Sequence, residues 1–149
     1  MPLPQKILVP TDFSADANFA LDYAVELAEK VGATVHLAHF YALPLAPFGP
    51  PFGFVASSMS EGLDAESKKA LENTIAKHGR PGVTITSSAS LGDARSGIQE
   101  IAAAVGADLI CMGTHGRRGL SHVLLGSIAE YTVRVSKVPT LTVRASSAA

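Results

Sequence analysis

The chain has 149 residues, 47% of them hydrophobic and 17% charged, with a formal net charge of -1. That length suits one core and one domain spanning 1–149, and the composition excludes a disordered chain. The near-neutral charge, with no long run of one sign, gives no electrostatic ground for a nucleic-acid partner, and the one cysteine, Cys111, excludes an internal disulfide and fits a reducing compartment.

The opening MPLPQKILVPTDF carries one lysine and a three-residue apolar run before Asp12, which is not a secretory signal. The longest uncharged stretch, Val31 to Ser60, is broken by Pro44, Pro47, Pro50 and Pro51, so it makes no membrane helix. A soluble, cytoplasmic protein is expected.

Short β-rich runs alternate with helical periods. KILVP (Lys6 to Pro10) reads as a buried strand. Ala20, Ala24, Leu27 and Val31 recur at helical spacing from about Asp16 to Val31, with Ser14 as N-cap and Gly32 as stop. TVHLAHF (Thr34 to Phe40) is a second strand. YALPLAPFGPPFGFVASS (Tyr41 to Ser58) reads as an irregular loop, too rich in proline and glycine for regular structure, and it carries Phe48, Phe52 and Phe54.

A second helix is expected from about Ser60 to His78, with Leu63, Ser67, Ala70, Leu71, Thr74 and Ile75 on its inner face. VTITSSAS (Val83 to Ser90) is a third strand, and Ile98, Ile101, Ala102 and Val105 mark a third helix. ADLICMG (Ala107 to Gly113) is apolar through its middle, as a strand covered on both faces must be. Ile128, Tyr131, Thr132 and Val135 mark a fourth helix, and TLTVR (Thr140 to Arg144) a last strand. The alternation predicts an α/β fold in which helices sandwich a parallel sheet of five strands. Ligands of such sheets bind beyond the carboxyl ends of the strands.

Two strand ends carry chemistry. Pro10-Thr11-Asp12 follows the first strand; Asp12 could accept from a ribose hydroxyl or a base amine, or it could shape the turn. After the fourth strand comes GTHGRRGLSHVLLGS, Gly113 to Ser127. Its glycines let backbone N–H groups approach an anion, and it closes at a helix start, where unpaired N–H groups favour negative charge. Ser127 could cap that helix or face a phosphate oxygen. Neither G-x-x-x-x-G-K-[ST] nor G-x-G-x-x-G is present, which excludes a P-loop and argues against a standard dinucleotide fingerprint.

Among the remaining polar residues, His36 and His39 lie three apart on a strand and face opposite sides. His78 suits a helix C-terminus, Asp93 is placed either at a pocket mouth or in a turn, and Cys111 reads as buried and inert. No metal site and no catalytic base follow from spacing.

The G-x-x-G-x9-G-[ST] pattern met by Gly113, Gly116, Gly126 and Ser127 resembles that of the ATP-binding branch of the universal stress protein family. KILVPTDFS, LAHFYA, LGDARSGI and VPTLTVR are similar to that family in the same order, over essentially the whole chain. The resemblance implies a Rossmann-like fold, ATP as ligand, with Mg2+, and a homodimer paired through Thr140–Arg144. It points to Pro10, Thr11 and Asp12 at the nucleoside, Phe40 at the adenine, and Met112, Gly113, Gly116, Gly126, Ser127 and Ile128 at ribose and phosphates. Independently of it, Arg117 and Arg118 could reach a terminal phosphate or stand as surface arginines. Phe40 is bulkier than the aliphatic residue expected there and could stack on the base. A regulatory ATP-binding protein is the implied function; a slow ATPase or autophosphorylating protein, or a dimeric module with structural ATP, are the alternatives.

Overall fold

The computed structural model of the protein describes residues 2–43, 52–115 and 125–145, and the side chains among them other than those of 52–57. Five parallel strands, β1 (Lys6–Pro10), β2 (Thr34–Tyr41), β3 (Ile85–Leu91), β4 (Leu109–Gly113) and β5 (Thr140–Val143), form one sheet in the order β3-β2-β1-β4-β5. The helices are α1 (Ala15–Val31), α2 (Phe52–His78), α3 (Ala94–Val105) and α4 (Ser127–Val135). The expected α/β sandwich is therefore the observed one.

Strand alternation assigns the helices to faces. Ile7 and Val9 of β1 pack with Ala20, Leu21, Ala24, Val25 and Ala28 of α1 and Leu71 of α2. Leu8, Ala38, Ile110 and Met112 point the other way and pack with Ile98 and Ala102 of α3 and Ala129 of α4. The inner face of α1 is largely alanine, which lets the helix lie close to the central strands. Ser14 accepts from the Ala17 N–H at 3.2 Å as N-cap, and Gly32 stops the helix at φ 76°, as a left-handed C-cap favours. Asp93 caps α3 in the same way, accepting from the Arg95 N–H at 3.1 Å.

Two expectations need correction. The second helix begins at Phe52 rather than Ser60, so the second half of the expected loop is helical. The prolines that argued against helix stop at Pro51, and a proline is tolerated at a helix start, where its missing N–H would have no partner. Residues 44–51, Phe48 among them, lie outside the described residues. The third strand runs Ile85–Leu91 rather than from Val83. On α4, Ala129 and Thr132 are buried, whereas Ile128, Tyr131 and Val135 stand exposed on its flank. Periodicity located this helix but not the side that the sheet covers.

His36 and His39 point to opposite faces of β2. The His36 ring lies between two hydroxyls of β3, with Nδ1 2.7 Å from Thr86 Oγ1 and Nε2 2.9 Å from Ser88 Oγ. Burial, and then the Lys6 charge, holds its pKa below the ordinary 6.5. The unfolded chain therefore takes up a proton here first as pH falls, so this contribution to stability is complete above about pH 6.5 and is lost as pH falls through the lower folded value. Denaturation midpoints followed from about pH 8 to about pH 5 should drop more for the native chain than for His36→Gln. Equal slopes for the two would remove His36 as the cause.

Candidate functional site

Strand register lines up the residues of the site. Pro10 pairs with Ala38, which sets Asp12 level with Phe40, and Phe40 pairs with Ser90. Leu8 pairs with Ile110, which sets Pro10 level with Met112. The row from β3 to β4 crosses three strand spacings, about 14 Å. Pro10, Phe40 and Met112 share the parity of Leu8, Ala38 and Ile110, and so lie on the face that α3 and α4 cover. The strand order reverses between β1 and β4, where α1 and α4 depart on opposite faces and leave a crevice.

The β1–α1 turn is held by its own hydrogen bonds. The Thr11 N–H donates to Ala38 O at 2.8 Å, Thr11 Oγ1 accepts from the Phe13 N–H at 3.0 Å, and Thr11 O accepts from His39 Nδ1 at 2.8 Å. That last bond places the proton on Nδ1 of His39. Asp12 Oδ1 accepts from the Ser14 N–H at 2.9 Å. Phe13 is held at φ 63°, a left-handed conformation rare for a non-glycine residue, with its ring 4.5 Å from that of His39. Asp12 thus shapes the turn, and that turn delivers it half-buried to the crevice.

At the end of β4, two glycines permit close backbone contacts. A Cβ on Gly113 would stand 2.9 Å from the Asp16 carbonyl oxygen, and one on Gly126 would stand 2.8 Å from that of Thr114. The Gly126 N–H donates to Thr114 O at 2.6 Å, which closes the connection at its neck. Gly126, not Ser127, is the N-cap of α4, and as a glycine it has no side chain with which to cap that helix. Ser127 and Ile128 are exposed in its first turn, where N–H groups lack helical partners. Below the neck, His115 Nδ1 lies 2.9 Å from Thr114 Oγ1 and 3.5 Å from Asp16 Oδ2. Gly116 and Arg117, with Arg118, Gly119 and His122, lie outside the described residues.

Phe40 turns onto α3. A Cβ on Gly97 would fall 2.4 Å from its ring, so glycine there is what makes room for the phenyl group. Beside this pair is a cavity of about 200 Å³ lined by Phe40, Ser90, Asp93, Ser96, Glu100 and Ile101, among others. Of these, Ser90, Ser96 and Glu100 were not singled out from sequence. Their signal was present in the helical spacing of Asp93, Ser96, Gly97 and Glu100 beside an aromatic strand end.

Cys111 is inert. Burial pushes its thiol up to about 12, and the S–H donates to Ala20 O at 3.5 Å. Among the described residues no cluster of three or more His, Cys, Asp or Glu could hold a metal, and no helix is long and apolar enough to cross a membrane. His78 pairs with Asp22 at 2.7 Å, which joins the end of α2 to α1.

A parallel sheet with a strand-order switch, an aspartate after β1 and a glycine-bounded connection into α4 defines a class of small single-sheet domains with a strand-end binding site. Residues 4–144 match the model of the universal stress protein family, and the chain belongs to that family. It is 34% identical to universal stress protein MJ0531 of Methanocaldococcus jannaschii, over 95% of this chain and 83% of that one. Universal stress protein MJ0577 of the same organism is 28% identical, with 94% of each chain covered. Its solved structure superposes with a TM-score of 0.82 over 99% of this chain and 100% of that one. The fold is also that of a universal stress protein solved with cAMP (23% identity, TM-score 0.65, 95% of this chain and 98% of that one). It is shared as well by one from Archaeoglobus fulgidus solved with dAMP (19% identity, TM-score 0.59, 95% and 98%).

The glycine contacts are with backbone, which cannot swing aside. Gly113→Ala and Gly126→Ala should each cost about 1–3 kcal/mol of stability, the usual penalty for overpacking. Urea denaturation tests this, and a change under about 0.5 kcal/mol, as at an ordinary surface site, would contradict the close packing.

Proposed function

We propose that the protein is an ATP-binding universal stress protein, a single-domain regulatory protein of the cytoplasm. The observation that carries this is the neck of the β4–α4 connection: Gly126, the N-cap of α4, tied to Thr114 at a helix start whose cap residue has no side chain. Such a helix end offers backbone donors and a favourable dipole to phosphate oxygens. Asp12, two residues beyond β1 on the neighbouring strand, would contact the nucleoside. The fold relatives solved with cAMP and dAMP support an adenine nucleotide as the ligand class. A Mg2+ ion would come with the triphosphate and be held chiefly by its oxygens.

Equilibrium dialysis against Mg-ATP should show uptake in the micromolar range. The Gly113→Ala, Gly126→Ala double variant should bind at least about tenfold more weakly, a loss equal to one or two charge-assisted hydrogen bonds. No uptake by the native chain at high micromolar ATP would rule the proposal out.

A second copy of the chain is the proposed partner, paired through β5, which runs Thr140–Val143 and stops one residue short of Arg144. The strand lies at the sheet edge, and Ile128, Tyr131 and Val135 stand exposed on adjacent α4. Sedimentation of the native chain should report a dimer, and Tyr131→Glu with Val135→Glu should shift it to monomer. A native monomer at tens of micromolar would overturn the pairing.

One observation favours turnover as a second reading. His115 sits beside the Asp16 carboxylate at the foot of the connection, an arrangement that orients an imidazole for proton transfer. Purified protein that releases ADP, and loses that activity in His115→Ala while still binding ATP, would support a slow ATPase. ADP release unchanged by the substitution would exclude His115 from it.

A further inference from the structure

We propose that Ser88 is an activated nucleophile that accepts an acyl group from an activated ester, with His36 as its general base and Thr86 as the residue that positions the imidazole. The inference is independent of the nucleotide reading, which uses none of these three side chains.

Strand register brings them together. His36 pairs with Thr86 and Ala38 with Ser88, so His36, Thr86 and Ser88 stand on one face of the sheet, the face that carries Ala38. His36 Nδ1 lies 2.7 Å from Thr86 Oγ1, and Nε2 lies 2.9 Å from Ser88 Oγ. Burial and the Lys6 charge oppose protonation of the ring, which is therefore predominantly neutral at neutral pH. A neutral imidazole has one N–H and one bare nitrogen, so one hydroxyl accepts from the ring and the other donates to it. With Nδ1–H donated to Thr86, Nε2 accepts the Ser88 O–H. That is the arrangement of a hydroxyl nucleophile, its base and a third group that orients the base.

The surroundings favour Ser88 over Thr86 as the nucleophile. Thr86 is exposed, so water competes for its hydroxyl, whereas Ser88 is half-buried and its primary hydroxyl is less hindered. Ser88 lies one cross-strand pair from Phe40 and Ser90, on the same face, and both of these line the cavity of about 200 Å³. Two strand residues span about 7 Å. An acyl group on Ser88 therefore has room within reach, against Phe40 and Ile101. α3 packs across β2, and β3 is the edge strand beyond it, which leaves the hydroxyl row partly open to a ligand.

The Ser88 proton passes to His36 Nε2 as Oγ attacks the ester carbonyl carbon. The tetrahedral adduct collapses, the bond to the leaving oxygen breaks, and that oxygen takes the proton from Nε2. Ester and serine become acyl-serine and free alcohol, and His36 is neutral again. Thr86 carries no charge, so it orients the ring without stabilising the imidazolium as a carboxylate does. The acceleration therefore belongs at the low end for general-base catalysis, about a hundredfold.

The test is incubation of the full chain with p-nitrophenyl acetate, timing p-nitrophenolate release and mapping the acetylated residue by mass spectrometry. The native chain should carry its acetyl group on Ser88 and acquire it about a hundredfold faster than His36→Gln does. Thr86→Val should slow the reaction and Thr86→Ser should restore it. The charges on the elements around His36 are Lys6 of β1, which holds its pKa below 6.5, and Asp93 and Glu100 on the cavity side of α3. The native rate should therefore be level above about pH 6.5 and fall as acid protonates the ring. Acetylation of His36, Thr86 or a lysine in place of Ser88 overturns the proposal, as does an unchanged rate in His36→Gln. A native rate that keeps rising about tenfold per pH unit through pH 9, as for an unassisted hydroxyl, overturns it without any variant.

Discussion

The parallel pairing of β1 with β4 is the constraint from which the remaining architecture follows. Ile7 lies beside Leu109 and Leu8 beside Ile110, two strands that the sequence separates by two other strands and three helices. Asp108 anchors the pair at its base, with its carboxylate accepting from the Gln5 N–H at 2.9 Å and the Lys6 N–H at 3.0 Å. Because these strands are neighbours, the chain winds outward from them in both directions. Right-handed crossovers then put α1 and α4 on opposite faces. A crevice at the strand ends is what such a divergence of helices creates.

Backbone proximity does the fine positioning. The first turn of α1 lies directly under the end of β4, which is possible because Gly113 has no side chain to meet Asp16. That contact brings the Asp16 carboxylate to His115. On the far side, Gly126 approaches Thr114 closely enough to hydrogen-bond to its carbonyl. Gly113 and Gly126 therefore have a packing reason for being glycine that exists without any ligand. An anion site at this place is compatible with that reason, because the same short neck puts a residue without a side chain at the N-cap of α4. Phe13 shows a related economy at the end of β1: three hydrogen bonds of Thr11 and the ring of His39 hold a backbone conformation that an isolated chain would avoid.

Much of the fold was legible because local signals agreed with one another. KILVP read as a buried strand, and Ser14 and Gly32 as helix limits; each is so, while the strand read from Ala107 to Gly113 starts at Leu109. The misreadings have physical causes. Prolines before Phe52 looked like breakers of a whole segment, though a proline at a helix start breaks nothing. Ser127 looked like a cap, but its neighbour's approach to Thr114 moved the helix boundary by one residue. Ile128, Tyr131 and Val135 repeat at helical spacing, and spacing alone does not say whether a stripe meets the sheet or faces away from it. Phe40 was noticed for its size, while Gly97, the residue that accommodates it, carried no signal without the fold.

By itself the amino-acid sequence determined the order of strands and helices, the strand ends that carry the aspartate and the glycines, and the family to which these motifs belong. Those are properties of short windows: periodicity, capping and glycine spacing act within a few residues of one another. Only the tertiary structure decided that Asp16 and His115 meet, that Phe40 rests on Gly97, and that Ser90, Asp93, Ser96 and Glu100 share one cavity. Each of those meetings depends on strand order and register, which long-range pairing sets and which no window of neighbouring residues contains.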